Sequence, residues 1–238
     1  MNPYSFIVSI LVYIAVIVLV FGLTYRIYKW IRIPRSNINL ALYPKPKTRI
    51  GRTAKLIKDT FLFPQVYNVD RWMWLFVIAL HLTIVFAFVG HMRLIREFTP
   101  LVSALGAEGM DMFALISGGI IGIIMMLAVF FLLMRRFKSP YRDISIPEDY
   151  ILLLLLLIVI LLGNHLRFFG DVHVTDYREY VHSLLVFKPA FTAELVASGT
   201  KWVLTTHVLF ASILAIYFPF SKLVHFVGSF TANLVRSE

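Results

Sequence analysis

Residues 80–91 read LHLTIVFAFVGH and residues 207–225 read HVLFASILAIYFPFSKLVH. Each is an apolar run that carries two histidines, His81 and His91 in the first and His207 and His225 in the second. An ionisable side chain inside a membrane-spanning helix is costly, and its usual reason is function rather than packing. Whether these runs do span a membrane decides the fold, so the remaining apolar segments matter next.

Five such segments lie at roughly 4–30, 72–95, 111–134, 149–168 and 201–227. Each reaches the ~20 residues that a ~30 Å hydrocarbon layer requires at a helical rise of ~1.5 Å per residue. The chain has 238 residues, of which 59% are hydrophobic, and its mean hydropathy is +0.80. The expected class is therefore an all-α membrane protein, a five-transmembrane-helix bundle forming one membrane-integral domain over residues 1–238. The apolar stretch Phe6 to Leu23 is long for a signal-peptide core and has no basic segment before it, so it reads as a retained first helix.

Individual segments carry their own signals. SGGIIG (Ser117 to Gly122) opens the third with small residues that let another helix approach closely. YILLLLLLIVILLG in the fourth is nearly featureless and is expected to face lipid or pack on the outside. Pro219 removes a backbone donor from the fifth and should kink it. In the basic connection 31–71, GRTAKLIKDTFLF reads as an amphipathic helix at the membrane surface, either among lipid headgroups or docking a partner.

The chain contains no cysteine, which removes disulfides, thiolate metal sites and cysteine-ligated clusters, and also covalent haem attachment. Its net charge is +10, but the basic residues flank apolar runs, which signals topology rather than nucleic-acid binding. The connections at 26–71 and 135–148, with Lys222 and Arg236, hold seventeen lysines and arginines. The other two connections hold six basic residues and seven acids. The bias puts the N-terminus outside and the C-terminus in the cytoplasm, in a multi-pass protein of the cell membrane. Trp30, Trp72, Trp74 and Trp202 suit interfacial belts.

This topology gives each histidine a depth. The second helix runs outward, so His81 lies toward the inner face and His91 toward the outer. The fifth runs inward, with His207 near the outer face and His225 near the inner. Antiparallel geometry then pairs His91 with His207 and His81 with His225. Ten residues separate the first two, ~15 Å along a helix, and eighteen the second two, ~27 Å and five turns on one face. Tilt and the Pro219 kink must absorb the difference. Zinc would want a third ligand, and a proton relay would want carboxylates within these helices; the apolar centres supply neither. Two haems with two axial histidines each account for all four residues.

VGHMRLI after HLTIVFAF, FPFSKLVHF (Phe218 to Phe226), and SGGIIG leading to MRRFKSP (Met134 to Pro140) closely resemble the gamma subunit of respiratory nitrate reductases, over about residues 72–228. The resemblance implies a dihaem cytochrome b with His91 and His207 on the outer haem iron and His81 and His225 on the inner. It also implies quinol oxidation near the outer haem and electron delivery to a cytoplasmic iron–sulfur subunit. Two departures stand out. The family's lysine at the start of the third helix is replaced by Gly109 in EGMDMF, and the first cytoplasmic connection is longer. Both point to the related cytochromes of heterodisulfide reductase and of the membrane complex linked to dissimilatory sulfite reductase, in sulfur or disulfide respiration on menaquinol. The alternatives are a nitrate reductase gamma subunit and, from another class, a transporter or membrane scaffold with structural histidines.

A quinol site needs a proton acceptor. By expected depth, Gly90 leaves space beside His91, while Arg93, Arg167, Asp171 and His173 gather at the outer end. Asp171 or His173 could accept the proton, and Arg93 or Arg167 could instead neutralise haem propionates. At the inner end Arg135, Arg136 and Lys222 could face the other propionates or anionic lipid.

Overall fold

The computed structural model describes Tyr4, residues 6–32 and residues 46–229. These residues form helices and connecting turns, with no strand among them. Five helices are long and apolar enough to cross a membrane: Phe6–Ile31, Arg71–Met92, Thr99–Arg135, Pro147–Phe169 and Lys201–Phe220. The first begins as a π-helical turn, Phe6–Leu11, and continues as α1 (Val12–Ile31). After it come α2 (Arg49–Phe61), α3 (Pro64–Val69), α4 (Arg71–Met92), α5 (Thr99–Arg135), α6 (Pro147–Phe169), α7 (Val174–Leu185), α8 (Ala193–Ala197) and α9 (Lys201–Tyr217). The described part of the basic connection is thus largely helical, while its residues 33–45, like Arg236, lie outside the described residues. The chain divides into two compact units, one of Met1–Ile14 with Ala79–Leu214 and one of Ala15–Ile78 with Ala215–Glu238.

In the first unit α5 and α6 pack antiparallel. Phe168 lies against Gly119, and Asn164 donates from Nδ2 to the Gly122 carbonyl at 3.1 Å. At the other end of the pair, the Tyr150 hydroxyl donates to the Arg136 carbonyl at 2.7 Å. A Cβ on Gly119 would stand 3.0 Å from the Phe168 ring, so the small residues of SGGIIG do admit a neighbouring helix. The fourth segment is less featureless than its leucine run suggests. Asp149 is buried at its head, accepting from the Ile146 amide at 3.1 Å and facing Arg136 at 3.5 Å, and Leu152, Leu155 and Ile160 are buried too. Ile151, Leu154 and Leu161 keep the exposed face.

The expected third segment, 111–134, begins earlier, at Thr99. Gly106 has a φ of +73°, a left-handed conformation natural to glycine, and breaks α5 into a short lead-in and a long span. The lead-in, TPLVSAL before Gly106, is too short to register as a span of its own. The connection between the fourth and fifth segments likewise holds two short helices, α7 and α8. Tyr180 on α7 is buried with Val8, Leu195 and Leu204, and its hydroxyl donates to the Val8 carbonyl at 2.5 Å. Tyr13 donates to the Leu184 carbonyl at 2.8 Å, so α7 is fastened to the start of the first helix.

In the second unit Thr48 caps α2 by accepting from the Gly51 amide at 3.0 Å, and Asp70 caps α4 by accepting from Met73 at 2.9 Å. The Trp74 indole donates to the Leu62 carbonyl at 2.7 Å and meets Tyr67 edge-on, which fixes the corner between α2 and α4. Ile50, Ile57 and Phe61 form an exposed apolar stripe on α2.

The fifth segment corrects the expected helix 201–227. Continuous α-helix ends at Tyr217; a 3-10 turn follows over Phe218–Phe220, Ser221 is extended, and a second 3-10 turn covers Lys222–Val224. Pro219 cannot donate to the helical ladder, and the Ser221 hydroxyl restarts the chain by accepting from the Leu223 amide at 3.2 Å. His207 and His225 therefore do not share one face of a five-turn helix. Pro219 is held from α1, where Arg26 Nε donates to its carbonyl at 3.0 Å and Gly22 leaves room for its ring.

Candidate functional site

The histidines share a hydrogen-bonding habit. His91 closes the last full turn of α4 with Nδ1 2.7 Å from the Ala87 carbonyl. His207 on α9 has Nδ1 3.1 Å from the Val159 carbonyl of α6, and His225 has Nδ1 2.9 Å from the Lys222 carbonyl. An imidazole nitrogen facing a carbonyl must carry the proton, so in neutral His91 and His207 the lone pair sits on Nε2, the form a metal ligand takes. Two local features shape the pair in the first unit. A Cβ on Gly163 would lie 3.3 Å from the His207 ring, so that ring occupies the space glycine leaves on α6. Gly90, beside His91, has no atom within 4 Å of where a Cβ would stand. His91 also lies within electrostatic reach of His207.

These donors fit haem better than a bare ion. Among the described residues no three His, Cys, Asp or Glu side chains gather as a metal site. A haem iron takes four ligands from the porphyrin and needs only two from the protein. His81 is half-buried on α4 and has a partner of its own. It falls in the first unit and His225 in the second.

Past His91 the chain enters a charged clasp. Arg93 is 8% exposed and donates to Glu97 at 2.7 Å and to Asp111 at 2.6 Å. Arg178 of α7 donates to the other Glu97 oxygen and, through Nε, to the Arg93 carbonyl at 3.1 Å. Burial alone would lower the Arg93 pKa, but the two carboxylates outweigh it and raise it; the Arg93 and Arg178 bonds hold Glu97 below its usual range. Arg93 is thus committed to fastening α4, α5 and α7. Only the Arg93–Glu97 spacing hinted at this in the sequence; Asp111 and Arg178 come from distant segments.

Asp171 is committed as well. It accepts from the Ser198 hydroxyl at 2.5 Å, the Thr200 hydroxyl at 2.9 Å and the Gly199 amide at 3.0 Å, closing the turn that leads into α9. Those donors hold its carboxyl at about 2, which makes it a weak base at neutral pH. His173 stands exposed at the head of α7. Arg167 lies along Gly118 with no carboxylate partner among the described residues. At the opposite end of α5, Arg135 stacks on Tyr141 at 3.3 Å and Arg136 donates to Ser145 at 3.1 Å; Lys222 belongs to the second unit.

Residues 65–237 match the family model of the nitrate reductase gamma subunit. The chain belongs to that family. Within it, a relative from Archaeoglobus fulgidus is 30% identical over 92% of this chain and 75% of its own length. A second, from Archaeoglobus profundus, is 26% identical over 96% of this chain and 77% of its own. Each is named as an Hdr-like menaquinol oxidoreductase cytochrome b-like subunit. The gamma-subunit family is the one the sequence resembles, and these relatives fall in the branch to which Gly109 and the long basic connection point.

Proposed function

We propose that this chain is the membrane cytochrome b subunit of a menaquinol oxidoreductase. It would carry electrons from menaquinol at the outer face, across two b haems, to a cytoplasmic iron–sulfur subunit of heterodisulfide reductase type in sulfur or disulfide respiration. The observation that carries the reading is the shared geometry of His91 and His207: each spends Nδ1 on a backbone carbonyl and keeps Nε2 for a ligand. The names of the Archaeoglobus relatives supply the menaquinol.

His91 and His207 would hold the outer iron, and His81 and His225 the inner. Bound haem supplies one-electron redox chemistry between those ligands. Arg167, with no carboxylate partner among the described residues, would face an outer propionate, whereas Arg93 is paired. Arg135, Arg136 and Lys222 would serve the inner propionates, and Gly90 keeps space open beside His91. With Asp171 capping a turn, the proton released at the outer face passes to the exposed His173. The whole chain then works as one membrane-integral domain in the cell membrane, its N-terminus outside and its C-terminus toward the partner.

The test is pigment and stoichiometry. Purified protein should show reduced b-type absorbance and two non-covalent haems per chain. His91→Ala or His207→Ala should remove one haem, and His81→Ala or His225→Ala the other. A colourless protein would refute the reading in favour of a transporter or scaffold. Copurification with a nitrate-reducing catalytic subunit would refute the heterodisulfide branch.

A further inference from the structure

Helix α2 reads RIGRTAKLIKDTF and has no buried residue. Its 13 residues extend ~20 Å, too short to cross a ~30 Å hydrocarbon layer. At ~100° per residue, Ile57, Ile50, Phe61 and Ala54 fall on one stripe about 60° wide. All four are exposed, Ile50 at 83% and Phe61 at 62%, so no described part of the chain covers them. Arg49 and Thr53 border the stripe on one side and Lys58 on the other, while Arg52 falls opposite it.

The end of α2 fixes its depth. The Leu62 carbonyl, just past the last helical residue, accepts from the Trp74 indole at 2.7 Å. Trp74 stands in the first turn of α4, where a helix long and apolar enough to cross a membrane begins. Trp72 beside it is exposed, and Arg71 lies 5.4 Å over the Tyr67 ring. Tryptophan, tyrosine and arginine at the mouth of a span mark the headgroup region.

We propose that α2 is an in-plane anchor that binds a leaflet containing anionic phospholipid. Its apolar stripe enters among the acyl chains, and Arg49 and Lys58 meet headgroup phosphates at the two edges. Charge selects this occupant. Asp59, the one acid of α2, is paired with Lys55 at 2.9 Å, so what remains for a ligand is basic. Neither Arg49 nor Lys58 joins an ion pair among the described residues. A leaflet offers apolar chains below and a plane of phosphates above, which matches a stripe with a cation on each edge. A protein covering the same stripe would have to displace lipid at headgroup depth, and the centres of protein interfaces are poor in lysine. The inference depends neither on haem nor on which way the chain faces.

The test uses the full chain in nanodiscs with one spin-labelled cysteine, the chain having none of its own. The labels are Ile57→Cys and Phe61→Cys on the stripe and Arg52→Cys opposite, all at exposed positions where substitution leaves packing intact. In phosphatidylcholine with about 30% phosphatidylglycerol, a water-soluble nickel chelate should reach the stripe labels about fivefold less than Arg52→Cys, while dissolved oxygen reaches them freely. In phosphatidylcholine alone, or with Arg49→Gln and Lys58→Gln combined, the contrast should shrink to about twofold or less. Stripe labels as open to nickel as Arg52→Cys in both lipids overturn the proposal in favour of a protein partner. An undiminished contrast in phosphatidylcholine alone overturns the role given to anionic headgroups.

Discussion

Asp171 shows how a residue's neighbours assign its work. A carboxylate at the end of the chain where quinol oxidation is proposed invites a proton-acceptor role, yet three donors from Ser198, Gly199 and Thr200 hold it ionised. Its pKa falls from 3.8 to about 2 on folding, so its contribution to stability is complete above the unfolded value and is lost as pH drops toward the folded one. Melting curves of wild type and Asp171→Asn should therefore differ by a constant amount from pH 7 down to about 4, then converge toward pH 2. A difference that instead vanished near neutrality would mean that Asp171 titrates there and is free for proton transfer. Glu97 sets up a companion test. It accepts from Arg93, Arg178 and the Phe98 amide, whereas Asp111 holds Arg93 alone. Glu97→Gln should cost about 1–3 kcal/mol in unfolding experiments and exceed the cost of Asp111→Asn, because both weaken the pairing of buried Arg93 but only Glu97 also holds Arg178.

Among the elements, the break after α9 governs what the second unit presents. Pro219, the extended Ser221 and two 3-10 turns reset the chain before His225, and α1 supports that reset through Arg26 and Gly22. A Cβ on Gly22 would meet the Pro219 ring at 2.7 Å. The ring is stiff and its carbonyl is held, so Gly22→Ala must displace the turn that carries His225. Haem assays on this variant should show the inner haem weakened or lost with the outer one retained; equal loss of both would mean that the turn does not position His225. The same region shows what the sequence could and could not reveal. All five spans were legible, because a run of ~20 apolar residues matches the thickness of a bilayer and few soluble helices carry one. Proline at 219 announced a kink, but not that the helix would stop, since proline is tolerated in spans whose neighbours satisfy the freed carbonyls. The helices α7 and α8 were invisible because they are short and mixed in polarity. They are held by tertiary contacts such as Tyr180 to Val8, which local pattern does not encode.

For the whole molecule, direction is the property on which the functional reading turns. The proposed route sends electrons inward to a cytoplasmic partner, and only topology says which way the chain faces. The charge asymmetry is large: seventeen lysines and arginines fall on one set of connections and six on the other, a bias that orients membrane proteins during insertion. The absence of cysteine makes the check clean, because every introduced thiol is unique. Ser139→Cys lies in the connection after α5, and Lys188→Cys in the connection after α7. With a membrane-impermeant maleimide on intact cells, Lys188→Cys should label and Ser139→Cys should label only after permeabilisation. The opposite pattern would invert the chain, place His91 and His207 on the cytoplasmic side, and remove the route by which quinol protons released outside accompany electrons moving inward.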